Sequence, residues 1–426
     1  MEVLLHGHDG GDGNNSPDYR VHRQKQKKAR NRMKKLTLIM TALITLCMSG
    51  CGAYEPYVRI EQRIMVQLVG IDIEDDVYTV SVQFSMGKTS DAAQTENDLK
   101  TITGKGDNLY EAVRDAKSSL GKDFFFTHTQ VLFLGETVLE SGAIKVIEEY
   151  LDYCDNHPAP YIAGYRGKAE ELLSFSFKDE YTDKNKLLLI LENGKSTGVF
   201  PGFCIYQVLM SAYNESGSCF IPVLKSEETE NPGGDSSESG DSSESGESSD
   251  SSKSSDSGDS SKHKIIPDGV ALIIDDELVE MLTPEQSHGL SLILNMTRVS
   301  SIDFTYEDKP TTLEIFKKKT KIIPEITDGE NPVFKVKFTA VADCVYNPIL
   351  NDDLHDETFK ELTEQAVEER LRETLEPLVK LGGDIFNLED SLRHYDLKYW
   401  LKLEDDWREV LKTAEFIYSI DVKIQS

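Results

Sequence analysis

The chain has 426 residues, with 46 Lys and Arg against 75 Asp and Glu, a net charge of −29 with histidine neutral. A polyanion without a basic, aromatic-interleaved stripe is repelled by phosphate and lacks the counterion release that drives nucleic-acid binding, so no nucleic-acid partner is expected. The length suffices for a sizeable core, and at about 150 residues per domain it points to two or three domains.

Near the start, Met33-Lys34-Lys35 leads into an uncharged run over residues 36 to 49 and then Gly50-Cys51. A short basic start, an apolar segment of about 7–15 residues and small residues before a cut describe a secretory signal peptide, too short for a membrane span. Met48-Ser49-Gly50-Cys51 resembles the bacterial lipobox, in which the thiol receives a diacylglyceryl group and the preceding peptide bond is cleaved. Cys51 is therefore the expected lipidation site, with cleavage after Gly50; a plain signal peptide that happens to contain cysteine is the alternative. Residues 1 to 32 are polar and precede a complete signal peptide, so translation is expected to start at Met33. Residues 1–50 thus read as an upstream extension and a lipoprotein signal peptide. Their removal leaves 37 basic and 71 acidic residues, a net charge near −34. Each buried methylene contributes about 0.8 kcal/mol, so two or more acyl chains hold a protein stably at a membrane.

Residues 51–195 read as an N-terminal α/β domain. Residues 64 to 86 suggest two strands around Glu74-Asp75-Asp76, the second alternating Tyr78, Val80, Val82 and Phe84 with Thr79, Ser81, Gln83 and Ser85. Leu109, Val113, Ala116 and Leu120 then follow helical spacing behind the cap candidates Asp107 and Asn108. An apolar strand over 129 to 134, a second helix carrying Leu139, Ile144, Ile147 and Leu151, and a strand over 161 to 165 complete the alternation.

Residues 196–297 are expected to form a small middle domain around an insert, 226–264, composed almost entirely of Ser, Gly, Asp and Glu. Such a segment has little apolar surface to offset the entropy of ordering, and disorder is expected. The flanks 196–225 and 265–297 are each too short for a core and should pair across it. A hairpin turning at Asp275-Asp276 and a short helix over 284 to 295 are expected in the second flank. Calcium capture by the insert's acids is disfavoured, because calcium needs convergent oxygen ligands in a shaped loop.

Residues 298–426 read as a C-terminal α+β domain. Phe334, Val336, Phe338, Ala340 and Ala342 mark a half-buried strand. Phe359, Leu362, Val367, Leu371, Leu375 and Leu378 line one face of a long helix, with Glu368 and Arg372 paired at i, i+4 and Pro377 expected to end or bend it. Strict alternation from Ala414 to Ile424 predicts a final strand internal to a sheet.

No catalytic constellation emerges. There is no G-x-S-x-G, no G-x-x-x-x-G-K-[ST] and no H-E-x-x-H, and Gly104-Lys105-Gly106 lacks a third glycine. Beyond Cys51, the cysteines Cys154, Cys204, Cys219 and Cys344 form no metal-ligand spacing. A Cys204–Cys219 bridge is conceivable, with buried or idle thiols the preferred reading. Cys154 with His157 lacks an orienting third group. The acids around Asn351-Asp352-Asp353, His355, Asp356 and Glu357 are read as favouring a helix N-terminus rather than a metal. No catalytic residue, cofactor or metal is nominated.

Four stretches together resemble the Ger(x)C family, the lipoprotein C subunits of spore germinant receptors. They are Ile60-Glu61 through Val69-Gly70-Ile71-Asp72 to Val80-Ser81-Val82-Gln83; Leu109-Tyr110-Glu111-Ala112-Val113-Arg114-Asp115 with His128-Thr129-Gln130-Val131; Lys321-Ile322-Ile323-Pro324-Glu325-Ile326 with Phe334-Lys335-Val336-Lys337; and Asp384-Ile385-Phe386, Tyr399-Trp400 and Asp406-Trp407 with the final strand. Gly52-Ala53-Tyr54-Glu55 stands where the family commonly has Trp-Asp, and the acidic segment is an insertion. The resemblance implies an α+β protein of three mixed domains in series behind a lipidated N-terminus. It would be non-enzymatic and held on the outer face of the spore's inner membrane, beside an integral-membrane A subunit and a transporter-like B subunit. A solute-binding lipoprotein of a transporter is the alternative reading.

Overall fold

The computed structural model describes residues 17–48, 63–85, 99–154, 158–175, 185–214, 216–228, 263–325, 331–346 and 357–425, in two units divided after Arg59. In the first unit the described element is one helix, α1 (Pro17–Met48), which takes in both the expected start at Met33 and most of the uncharged run. No helix among the described residues is long and apolar enough to cross a membrane. Gly50 and Cys51 lie outside the described residues.

The second unit begins with a hairpin. Asp75 and Asp76 both take positive φ (50° and 62°), the conformation whose twist matches a two-residue connection between strands. It joins β1 (Arg63–Glu74) to β2 (Val77–Ser85), and β3 (Leu99–Gly106) extends the antiparallel run. The helix α2 (Leu109–Leu120) starts where the Asn108 side chain accepts the Glu111 N–H (2.9 Å) and stops at Gly121, φ 67°. It lies so close on β3 that a Cβ on Gly104 would sit 2.2 Å from the Ala112 carbonyl oxygen. Gly104 and Gly106 thus serve helix packing.

β4 (Asp123–Phe125) and β5 (Val131–Gly135) both pair parallel with β1. The helix expected next is two helices, α3 (Glu136–Ser141) and α4 (Ala143–Cys154), because Gly142 between them takes φ 128° and breaks the run. β6 (Tyr161–Tyr165), parallel to β5, is followed by α5 (Ala169–Ser174), α6 (Lys186–Thr197) and α7 (Ile205–Ala212). Then β7 (Ser218–Glu228) joins parallel to β6, with β8 (His263–Ile274) and β9 (Glu277–Leu282) antiparallel beyond it, turning at Asp275 and Asp276 (φ 52° and 65°). The sheet runs β3-β2-β1-β5-β6-β7-β8-β9, with β4 also on β1.

Two expectations change here. Residues 196–225 and 265–297 do pair across the insert, but they complete the first sheet and share its hydrophobic cluster, so the boundary expected at 195 falls inside one layer. The ends of the 226–264 insert are also strand, since Ser226, Glu227 and Glu228 pair with Ile265, Lys264 and His263.

The alternation in β2 predicted one wet face, yet Ser81 and Gln83 are as buried as Val80 and Val82. Residues around α5 and α6 cover that face and satisfy it. Gln83 Nε2 donates to the Leu173 carbonyl (3.1 Å), while Asn185 Nδ2 donates to Gln83 Oε1 (2.7 Å) and the same amide caps α6 by accepting the Leu187 N–H (3.0 Å).

After α8 (Pro284–Ile293), closed by the Thr283–Gln286 capping box, β10 (Ser300–Tyr306), β11 (Lys309–Glu325), β12 (Val333–Tyr346) and, at the end of the chain, β13 (Glu415–Gln425) form a second sheet in that order. α9 (Glu357–Lys380) lays Phe359, Val367, Leu371 and Leu375 on it, with Arg372 bonded to Glu368 (2.6 Å) on the wet side. Pro377 neither ends nor visibly limits α9, which continues to Lys380; a proline in the last turn forfeits little of the helix beyond it. Short helices α10 (Leu388–Tyr395), α11 (Leu397–Trp400) and α12 (Trp407–Leu411) lead into β13. Among the described residues that strand pairs with β12 alone, at the edge of the sheet and not in an internal position. Period-two alternation reports a covered face, here covered by α9, and is silent about neighbours on either side. Glu364 Oε1 accepts the Val422 N–H (3.0 Å), so one group of the edge is occupied by the protein itself. The described residues form an α+β fold.

Glu228 and His263 are already partners across the hairpin. Replacing 229–262 by a few Gly and Ser should therefore leave the unfolding midpoint unchanged or raise stability by up to about 2 kcal/mol, since closure cost changes by about 0.6 kcal/mol per doubling of length. Denaturant titration of the shortened chain measures this; a clear loss of stability would show that the insert packs.

Candidate functional site

Burial mutes the chemistry of Cys154, Cys219 and His288. Cys154, Cys204, Cys219 and Cys344 are free thiols. Burial pushes the Cys219 thiol up to about 12 and Cys154 further still, which keeps both protonated and poor nucleophiles. His288 is hydrogen-bonded to Ser300 Oγ, and desolvation, with Arg370 and Lys318 nearby, lowers its pKa to about 4. Among the described residues no group of three or more His, Cys, Asp and Glu could hold a metal ion. Cys51, His157, the acids at 351–356 and residues 229–262 of the insert lie outside the described residues.

What the fold does assemble is a set of aspartates that cap helices, two of them from other elements and one from the loop just before its helix. Asp72 on β1 accepts the Ala169 and Glu170 N–H groups (2.8 and 2.9 Å) at the start of α5. Gly135 is required beside it, because a Cβ there would meet Asp72 Oδ1 at 1.9 Å. Asp276, in the β8–β9 turn, accepts the Ile144 and Lys145 N–H groups (2.7 and 3.3 Å) at the start of α4. Asp384 accepts Leu388 N–H (2.8 Å), Glu389 N–H (2.7 Å) and the indole N–H of Trp407 (3.3 Å). Burial pushes the Asp72 and Asp384 carboxyls above the ordinary range, and these N–H bonds pull back against it. Trp400 packs edge-on against Trp407 at 5.1 Å. Beside them a cleft of about 340 Å³ is lined by Asp384, Glu389, Glu404, Asp405, Asp406 and Glu409 among others.

Several residues that carried the family resemblance thus have structural duties. Asp72 and Asp384 cap helices, Trp400 and Trp407 form a ring pair, and Gly70 lets α5 approach, a Cβ there meeting Leu173 Cδ1 at 2.4 Å. Asp276 and its neighbour Asp275, which binds Arg408, were legible only as a turn.

The family of the chain comes from its sequence. Residues 56–226 match the spore germination protein N-terminal domain, and residues 268–426 match the spore germination B3/GerAC-like C-terminal domain. The chain belongs to this GerAC-like family of spore germination proteins, the C-subunit class of germinant receptors. It is 24% identical over 406 residues to spore germination protein B3 of Bacillus subtilis (strain 168), covering 92% of this chain and 96% of that protein. Spore germination protein KC of the same organism is 20% identical over 409 residues, covering 92% and 94%. The crystal structure of the GerBC protein superposes with a TM-score of 0.51 at 20% identity, over 84% of this chain and 97% of that one, and so shares the fold.

Two tests follow from the buried groups. Between pH 6.5 and about 4 the unfolded chain protonates His288 and the folded chain does not, so stability is present above pH 6.5 and falls as pH drops. The loss should reach about 3 kcal/mol by pH 4, and a His288→Gln variant should lack this part of the acid sensitivity in denaturant titrations at pH 7, 5.5 and 4. Asp384→Asn should cost about 2 kcal/mol, because an amide nitrogen faces at least one of the three donors that the carboxylate now satisfies; the same titration at pH 7 measures it, and an unaltered midpoint would remove Asp384 from the list of supports.

Proposed function

We propose that the protein is a membrane-anchored C subunit of a spore germinant receptor, tethered through diacylglyceryl-Cys51 to the outer face of the spore's inner membrane. There it acts without catalysis, as a component needed for receptor assembly beside an integral-membrane A subunit and a transporter-like B subunit. The observation that carries the reading is the order of parts: a lipobox ending at Cys51, followed at once by the two family domains over 56–226 and 268–426. Two germination domains on one chain also favour a receptor over a solute-binding lipoprotein.

The thiol of Cys51 is the group that modification requires, so Cys51→Ala should abolish incorporation of radiolabelled fatty acid and release the chain from spore inner-membrane fractions. Spores carrying it should germinate more slowly, with A and B subunit levels scored in parallel. Undiminished fatty-acid incorporation in the variant would sink the assignment.

A further inference from the structure

The strands β1, β5, β6 and β7 are parallel, so their N-terminal ends share one edge of the large sheet. The chain enters at that edge, on Arg63. Only residues 52 to 62 separate it from Cys51, and a segment of that length spans at most about 40 Å.

α7 lies along the same edge. Cys204, just before it, bridges to Tyr161 at the start of β6, and the Ile205 and Tyr206 N–H groups donate to the Pro160 and Pro158 carbonyls (3.0 and 2.9 Å). After the helix the chain re-enters the sheet at Ser218, the start of β7. Ile205 and Val208 are buried beneath it. On its outer face Tyr206, Met210 and Tyr213 follow one another at i, i+4 and i+7 and are 49%, 72% and 64% exposed. Met65, on the first residues of β1, is 53% exposed at this edge as well. Residues 198–214 contain no Asp, Glu, Lys or Arg, in a chain where such residues make up 28%.

We propose that this edge rests on the lipid bilayer, with the Tyr206–Met210–Tyr213 stripe of α7 set among the headgroups. This rests on the reading of Cys51 as the anchor, which holds the edge within reach of the membrane. Tyrosine suits that layer because its ring is apolar and its hydroxyl stays wet. A contiguous apolar stripe on a soluble surface calls for a covering partner. The lack of carboxylates along 198–214 spares α7 and its flanks the repulsion that an acidic chain otherwise meets at an anionic membrane. Tether and stripe together set the orientation of the protein: one supplies attachment, the other supplies the face.

The test uses the full chain, isolated with its acyl groups and reconstituted into phosphatidylcholine vesicles, with p-benzoylphenylalanine replacing Met210 or, as a control, Val77. Val77 is partly exposed but sits at the opposite edge, after the β1–β2 turn. Flotation of the vesicles reports the anchor and mass spectrometry of the irradiated chain reports lipid contact. The expected result is a lipid adduct at 210 and none at 77 on chains that float. Floating chains with no lipid adduct at 210, or with position 210 joined only to protein, would overturn the bilayer contact and leave the anchor standing. Chains that neither float nor form the adduct would remove both.

Discussion

The two-residue turn at Asp275 and Asp276 is where the molecule's parts are tied together. Its positive φ values aim the two carboxylates in different directions. Asp276 takes the N-terminus of α4, on the face of the large sheet, while Asp275 takes the guanidinium of Arg408 from α12 (2.7 Å to Oδ1). Arg408 also donates to the Ser216 carbonyl (3.2 Å), just before β7. An exposed ion pair is worth about 0–1 kcal/mol, so the pair sets register more than it supplies energy. The energy of the joint is apolar. Leu378 and Ile385, from the C-terminal half, belong to the first hydrophobic cluster, and Leu292 and Ile293, from the end of α8, belong to the second. Two glycines permit the approach: a Cβ on Gly383 would meet Ile274 Cδ1 at 2.7 Å, and one on Gly289 would meet Thr374 Oγ1 at 2.0 Å.

The same device recurs at three helix starts. Asp72 and Asp276 each sit on or beside one element and accept the free N–H groups of another, which otherwise have no intrahelical partner, while Asp384 caps α10 from the loop just before it and ties that loop to Trp407. A remote carboxylate differs from an ordinary N-cap in what it fixes. A local cap sets where a helix starts, whereas a remote one also sets where the helix lies against the sheet. The cost is desolvation of the carboxylate, visible in the raised pKa of Asp72 and Asp384. Each is held by two or more N–H donors, which is what makes burial of a carboxylate tolerable.

Local signals were legible in the sequence wherever one residue type carries one conformation. Both Asp-Asp turns, the Asn108 cap, the α9 stripe and the pairing of the two segments flanking the insert follow from patterns of a few residues. Long-range facts were not legible. Nothing in the alternation of β2 announces that Gln83 will find Asn185 about a hundred positions away, so its polar face reads as wet when it is buried. Nothing in the alternation of β13 separates an edge strand from an internal one. A boundary at 195 follows from the end of the strand–helix alternation, but β7 returns to the sheet that β6 leaves. For the site, the resemblance to a lipobox is a local signal that carries the expectation at Cys51; α7 is apolar on two sides, and only the structure shows that Ile205 and Val208 are covered while Tyr206, Met210 and Tyr213 are exposed.

The place of β1 decides how a pull through the N-terminal segment would be borne. A strand reached directly from the N-terminal segment could have been an edge strand, able to peel away one hydrogen bond at a time. Instead β1 lies inside the sheet, bonded to β2 on one side and to β4 and β5 on the other. A pull along β1 loads those ladders in shear, so several bonds must yield together. Its Val66, Leu68, Val69 and Ile71 are essentially inaccessible to solvent, and Asp72 ties its far end to α5. Force or orientation imposed at the N-terminus therefore enters the centre of the large sheet, and from there it reaches the C-terminal half through β7, β8 and the Asp275–Arg408 contact.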